Sequence, residues 1–193
     1  MRIKTGLLLL LFPCLGYPAD LKGHWVLEKS EITYTVTHPL HVVRGKSLSA
    51  RGKGVCYGGR CEFHLGVLVK SFDSGDSNRD LHMLEVTKAG LYPLIDVKAE
   101  MLKQGGKNKG SSSQILVDAT ITFAGKTVKY PKVKLDALDW KPNGVHLKGL
   151  LPLKLTDFAI PPPSLLTMPV QNDVPVVLDL VWKKIDSQES NKN

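Results

Sequence analysis

The sequence predicts an all-β, mainly antiparallel protein in which about eight strands form a barrel or a sandwich, with one short helix. Two observations carry this prediction. Apolar and polar residues alternate along most of the chain, which is typical of strands with one buried face. Turn-forming residues separate the alternating runs. With 193 residues, of which 42% are hydrophobic, the chain is long enough for one domain with a substantial core.

Seven alternating runs follow one another along the chain. One face is apolar in each of these segments: 32–38, 63–69, 95–101, 115–123, 133–137, 145–155 and 174–182. Turn signals lie at 105–113, 124–126 and 141–144. The alternation changes parity around Pro131, which predicts a β-bulge. Since each strand has one apolar face, all of them must bury that face against a common interior.

One segment interrupts the strands with a helical pattern. Ser77 and Asp80 form a start that resembles a capping box, and Gly90 can end the segment that follows. We therefore expect a helix over residues 79–89.

The N-terminus is typical of a secretory signal peptide. Arg2 and Lys4 precede an unbroken apolar run at 7–12, which is too short to span a bilayer. Cleavage near Ala19 would release the mature protein into the periplasm or the medium. The predicted organisation is a signal peptide over 1–19, one barrel domain over 20–184 and a polar tail over 185–193.

The formal net charge of +8 indicates a basic protein. The cations do not form a Lys/Arg block, so the sequence predicts no nucleic-acid partner. Attraction to anionic surfaces stays open as an interpretation of this charge.

Two cysteines flank a tight turn in the stretch VCYGGRC. Gly58-Gly59 is typical of a two-residue hairpin, which would place Cys56 opposite Cys61 on a non-hydrogen-bonded pair. An oxidising compartment favours a disulfide between them. Redox chemistry and a metal site with His64 are the alternatives. Along an extended strand His64 points away from Cys61, which disfavours the metal.

The residues expected to face the interior are aliphatic and of medium or small size. An eight-stranded barrel lined in this way can hold one small or elongated ligand. An apolar lumen with polar groups at one end suits an amphiphile. A fully packed core without a ligand is the alternative interpretation.

Several motifs appear in an order that points to a known family. They are WVLEKS at 25–30, ITYTVTH at 32–38, Gly45, SNRDLH at 77–82, LYPLI at 91–95, ATITFAGKT at 119–127 and LTDF at 155–158. The chain from Trp25 to about Lys183 thereby resembles the YceI-like family. Departures include Ala89-Gly90-Leu91, where the family often has aromatic residues.

The resemblance implies an exported, lipocalin-like eight-stranded barrel that binds polyisoprenoids or other long-chain lipids. The expected function is to carry or store an isoprenoid-type or acyl amphiphile, with no required cofactor and an isoprenoid quinone as one candidate ligand. The partners expected are the apolar lipid, a membrane in transient contact and a second copy in a homodimer. A thiol-redox or electron-transfer accessory protein of the periplasm, using Cys56/Cys61 or a bound cofactor, is the alternative.

Two groups of residues are predicted to contact the ligand. The lumen group is Tyr34, Val36, Phe63, Leu65, Ile121, Gly149 and Leu151. The head-group set at the barrel mouth is His38, His41, Arg44 and Arg79. Open space is expected beside Gly149, which has no side chain. For His38 a packed position in the core or at the rim is the alternative, and Arg79 can instead pair with Asp80 to anchor the helix.

The sequence shows no signature of a known catalytic site. Nucleophile-elbow, zincin, P-loop and dinucleotide glycine patterns are all missing. We therefore expect a binding protein without catalytic residues or a metal, and an enzyme acting on a lipid head group is the less favoured class.

Overall fold

The computed structural model describes residues 21–107, 113–165 and 167–185. The predicted signal peptide and the residues after 185 lie outside this part. The strands are β1 (Gly23–His38), β2 (His41–Ser47), β3 (Arg51–Tyr57), β4 (Arg60–Leu68), β5 (Leu94–Lys107), β6 (Ser113–Phe123), β7 (Lys126–Lys141), β8 (Gly144–Lys154), β9 (Ser164–Leu165), β10 (Met168–Pro169) and β11 (Asp173–Ile185). Helix α1 spans Ser77–Val86, and two 3-10 turns span Val69–Ser71 and Leu155–Phe158.

The main sheet closes on itself because its first and last long strands pair. β1 runs antiparallel to β11, and the order continues through β8, β7, β6, β5, β4 and β3 back to β1. The eight-stranded antiparallel barrel with one helix is therefore confirmed. Closure removes the free edges that an open sheet would expose.

The long first strand has two partners on one side. Its first residues, 23–26, pair with β3, whereas 32–38 pair with β2. β2 and β3 therefore share one position in the barrel wall. The segment that follows β4 runs back beside β2. There Lys46 of β2 and Asp73 exchange two backbone hydrogen bonds of 2.9 and 3.0 Å. This contact places the loop before α1 against the end of the barrel.

The two ends of the barrel differ in composition. At one end, here called the tryptophan end, the strand register brings together Trp25, Trp140 and Trp182 with the Cys56–Cys61 pair. The other end, here called the helix end, carries the β1–β2 turn, α1 and the small β9–β10 hairpin. Trp25 and Trp182 are only 2% and 3% exposed, so the tryptophan end is densely packed.

The predicted bulge in β7 is confirmed. The register of β6 against β7 shifts between Val117 and Ala119, so one residue of β6, Asp118, faces extra residues on β7. Lys132 takes a positive φ of 54°, and its backbone N–H donates to Asp118 Oδ1 at 2.9 Å. The bulge thereby gains a side-chain acceptor in place of a ladder bond.

The helix begins and ends earlier than the sequence pattern indicated. Its N-cap is Asp76, whose Oδ1 accepts from the backbone N–H groups of Asn78 and Arg79 at 3.0 Å each. These bonds, the one from Arg79 foremost, hold the pKa of Asp76 below its ordinary value. The helix ends at Val86, and Gly90 lies in the turns beyond it. The prediction that Ser77 caps the helix and Gly90 ends it was wrong.

No helix in the described ranges is long and apolar enough to cross a bilayer.

Candidate ligand cavity

A cavity of about 560 Å³ occupies the lumen of the barrel. Apolar side chains from the strands of the closed barrel line this cavity. From β3 only Cys56 contributes, because the glycines of that strand do not reach the cavity. The lining side chains with hydroxyl, imidazole, amide or guanidinium groups lie at the helix end: Tyr34, His38, His41, Asn78, Arg79, His82, Thr87 and Ser164. The cavity is thus an apolar tube with hydrogen-bonding groups at one mouth, the arrangement expected for an amphiphile.

Most of the residues predicted to contact a ligand lie on the cavity wall. They are Tyr34, Val36, His38, His41, Phe63, Leu65, Arg79, Ile121 and Leu151. Arg44 and Gly149 are not part of this wall. Arg44 is exposed on β2 and alternates with the inward-facing Val43 and Gly45, so its side chain lies on the outer surface.

The expectation of open space beside Gly149 was wrong. Gly149 pairs with Leu135 of β7, and a Cβ at this position would lie 2.3 Å from Leu135 Cδ2 and 3.0 Å from the Lys134 carbonyl oxygen. The Leu135 side chain therefore fills the volume that the glycine leaves. A larger residue at Gly149 would collide with the wall before it reached the lumen.

His38 lines the cavity, but both of its ring nitrogens form hydrogen bonds with the backbone. The Leu40 N–H donates to Nδ1 at 3.2 Å, so Nδ1 is unprotonated and Nε2 donates to the Met168 carbonyl oxygen at 3.1 Å. The side chain is 3% exposed. These bonds tie the β1–β2 turn to the β9–β10 hairpin, which favours the packed-rim interpretation of His38.

The side chains of Arg79 and Asp80 both form hydrogen bonds with the backbone of Ser74. The guanidinium of Arg79 donates to the Ser74 carbonyl oxygen at 3.2 Å, and the Asp80 carboxylate accepts from the Ser74 N–H at 3.1 Å. Both therefore anchor α1 to the loop that precedes it. Burial raises the pKa of Tyr34 on the neighbouring wall, with a further rise from the Asp80 charge and an opposing effect from Arg79.

Sequence reasoning missed the inner face of α1. Asn78, His82 and Val86, together with Arg79 and Met83, line the cavity. Their spacing of three to four residues places them on one helix face, and this spacing was the signal available in the sequence. His82 also lies 3.6 Å from Glu85 on the exposed helix surface.

The predicted disulfide is confirmed. Cys56 and Cys61 face each other at a Cα distance of 4.0 Å, and Gly58 and Gly59 both adopt positive φ in the turn between them. Each cysteine is 3% exposed and lines the cavity. The bond is therefore a structural disulfide that faces the lumen and is shielded from solvent by the barrel wall.

The metal alternative that added His64 to this pair was wrong. His64 lies on the outer face of β4, where its Nε2 is 2.7 Å from Asp96 Oδ1. Among the described residues, no group of three or more His, Cys, Asp or Glu side chains is arranged to hold a metal ion.

Comparisons with known proteins agree with this architecture. No protein-family model matches the chain, and no curated protein matches it. A polyisoprenoid-binding domain from Saccharophagus degradans, implicated in plant cell wall breakdown, superposes with a TM-score of 0.68 at 16% identity, over 83% of this chain and 98% of its own. BcnA of Burkholderia cenocepacia superposes with a TM-score of 0.61 at 16% identity, over 79% and 95%. The chain shares the fold of these proteins, which is the lipocalin-like barrel that the YceI-like resemblance predicted.

Proposed function

We propose that the protein binds a long-chain amphiphile, of isoprenoid or acyl type, and carries or stores it. The hydrocarbon chain lies in the lumen and the polar end lies at the helix end. The observation that carries this proposal is the one-sided lining: a tube of about 560 Å³ whose hydroxyl, imidazole, amide and guanidinium groups lie at one mouth. The similar fold of a polyisoprenoid-binding domain supports the same ligand class.

The groups at the mouth indicate what the head group offers. Arg79 is a permanent cation, and His41, His82 and the Asn78 amide can donate hydrogen bonds beside it. A head group rich in acceptor oxygens therefore fits best, such as a quinone ring, a phosphate or a carboxylate. His38 contributes shape to this mouth, because its ring nitrogens already bond the backbone.

The disulfide and the fold are compatible with an exported protein. We propose that residues 1–19 direct export and that the mature protein acts in the periplasm or the medium. The homodimer stays a prediction from the resemblance.

We propose contact with a membrane at the helix end. A long-chain lipid must leave a bilayer to enter the lumen, because each CH₂ exposed to water costs about 0.8 kcal/mol. Leu40 at the tip of the β1–β2 turn and Leu81 on α1 are 63% and 59% exposed, and Leu91 just beyond α1 is 76% exposed. These leucines can enter the surface of a bilayer while the mouth faces it.

The redox alternative has less support. A thiolate from a partner protein must approach a disulfide directly to exchange with it. Cys56 and Cys61 face the lumen and are shielded by the barrel wall. We therefore propose lipid binding without catalysis. The similar fold of the polyisoprenoid-binding domain from Saccharophagus degradans supports this proposal.

Native mass spectrometry of the purified mature protein, followed by extraction and identification of any retained lipid, tests the proposal. We expect a stoichiometric long-chain ligand, or uptake of one from vesicles. Ala99 lines the lumen, so Ala99→Phe should fill it and reduce uptake at least tenfold, whereas Lys98→Phe on the outer face should not. A wild-type protein that neither retains nor takes up any long-chain lipid would refute the proposed function.

A further inference from the structure

Three inward-facing glycines of β2 and β3 lie beneath aromatic rings. A Cβ at Gly45 would be 2.4 Å from Tyr34 Cε1. At Gly52 it would be 2.7 Å from Trp182 Cη2, and at Gly54 it would be 2.3 Å from Phe63 Cδ1. Real Cβ atoms do not approach other heavy atoms this closely, so each ring occupies space that only a glycine leaves. We call Gly45, Gly52 and Gly54 the glycine wall.

The rings reach this wall from three different strands. Tyr34 and Phe63 are the direct cross-strand partners of Gly45 and Gly54. Trp182 extends from β11 past β1 to Gly52 on β3. The Phe63 and Trp182 rings meet edge to face with centroids 4.8 Å apart, which is a favourable aromatic geometry. The large rings of this region are thus drawn to one side of the barrel.

The opposite neighbours of Phe63 are small. The row of paired residues that starts at Gly54 and Phe63 continues with Ala99 on β5 and Ala119 on β6. Both alanines line the cavity. If the Phe63 ring could not lie over β3, the space above these alanines would be the volume open to it. The ring would then occupy the lumen itself.

We propose that the glycine wall determines the capacity of the lumen by seating these three rings against β2 and β3, and so sets which hydrocarbon chains can enter. This inference rests on the proposed function for its ligand, whereas the ring positions can be tested without one. Gly45, Gly52 and Gly54 are specificity-determining positions although none of them lines the cavity.

Gly54→Ala is the decisive variant. The added methyl displaces the Phe63 ring towards Ala99, so we expect at least tenfold weaker binding of the fluorescent fatty acid cis-parinaric acid. Gly66→Ala is the matched control, because Gly66 lies on the outer face of β4 and its Cβ would meet only Leu94, at 3.3 Å. Gly54→Ala combined with Phe63→Leu should restore binding, since the ring that blocks the lumen is gone.

Melting curves and a crystal structure of Gly54→Ala separate the outcomes. Binding equal to wild type, or a Phe63 ring still seated over β3, would overturn the inference while the proposed function stands. If the wild type binds no cis-parinaric acid, the proposed function is in question, and the ring position alone decides the inference. If Gly54→Ala does not fold, Phe63→Leu replaces it: retained or stronger binding supports the inference and a tenfold loss overturns it.

Discussion

Among single residues, His38 joins two segments that are far apart in the sequence. Its ring accepts from Leu40 and donates to Met168, so the β1–β2 turn and the β9–β10 hairpin depend on one imidazole. A buried side chain with both nitrogens bonded contributes to stability more than to recognition, because its loss leaves backbone groups without partners. The neighbouring His41 is exposed, and its ring is tilted by 38° to the His38 ring with the centroids 5.0 Å apart.

We therefore expect His38→Ala to lower the free energy of unfolding by about 1–3 kcal/mol, since two backbone groups lose their partner. His41→Ala is the matched control and should change stability by less than about 0.5 kcal/mol, as exposed positions generally do. Chemical denaturation of both variants measures the difference. Equal stability of the two variants, with weaker lipid binding in His38→Ala alone, would show instead that His38 recognises the ligand.

Asp179 on the outer wall of β11 offers a second test at this scale. Partial burial raises the pKa of its carboxyl, but hydrogen bonds from Lys148 and His146 outweigh burial and the pKa is lowered overall. Lys148 Nζ lies 2.9 Å and His146 Nε2 lies 2.5 Å from the carboxylate. Because the pKa of Asp179 is lower in the folded state, its carboxylate stabilises the fold at pH values above about 3.8, the pKa that the group has in the unfolded chain.

Asp179→Asn should therefore reduce stability at neutral pH by less than about 1 kcal/mol, because the group is near the surface and screened by solvent. The deficit should shrink as the pH falls below about 3.8, where protonation removes the same interaction from the wild type. Melting temperatures of both proteins from pH 7 to pH 2 measure this. A deficit that stays constant across that range would mean that packing, not charge, explains the loss.

Among the elements, the hairpin of β3 and β4 was the most predictable from sequence. Gly58-Gly59 encodes the turn locally, and the turn sets the register that pairs Cys56 with Cys61. The start of α1 was less predictable, because Asp76 and Ser77 are both good N-caps and only the bonds to Asn78 and Arg79 distinguish them.

Replacing both Cys56 and Cys61 by serine should keep the barrel folded and destabilise it modestly. The loop that the bond closes is short, so the chain-entropy estimate gives at most roughly 2 kcal/mol. Circular dichroism and denaturation of the double variant measure this change. Two free thiols in protein purified without reductant would contradict a structural disulfide, and loss of activity beyond the loss of stability would favour the redox alternative.

Alternation in the sequence identified which face of each strand turns inward, but not what fills the space inside. Gly149 and Gly54 have the same inward orientation by parity, yet Leu135 covers one and the Phe63 ring covers the other. The Leu135–Gly149 pairing depends on the register of β7, which the bulge near Pro131 shifts by one residue. The Gly54–Phe63 pairing depends on the register of the β3–β4 hairpin. Arg44 shows the same limit, because the parity of β2 becomes clear only once its pairing with β1 is known.

Across the whole molecule, polarity and exposed apolar residues coincide at one end. The helix end carries the charged, hydroxyl and imidazole groups of the cavity lining, and Leu40 and Leu81 extend beside them into solvent. The tryptophan end is closed by buried aromatic residues and the disulfide. A lipid that leaves a membrane with its hydrocarbon chain first would therefore place that chain in the apolar tube and its head group at the polar mouth.

Leu40→Ser combined with Leu81→Ser should slow transfer of cis-parinaric acid from phosphatidylcholine–phosphatidylglycerol vesicles several-fold and leave equilibrium affinity unchanged. The reason is that both leucines lie outside the cavity and act only while the mouth approaches the bilayer. Leu150→Ser combined with Val177→Ser is the matched control, because these residues are 57% and 47% exposed on the side wall, paired across β8 and β11. Stopped-flow fluorescence measures the transfer rates. If the side-wall variant slows transfer as much as the mouth variant, or if neither slows it, the helix end does not approach the bilayer.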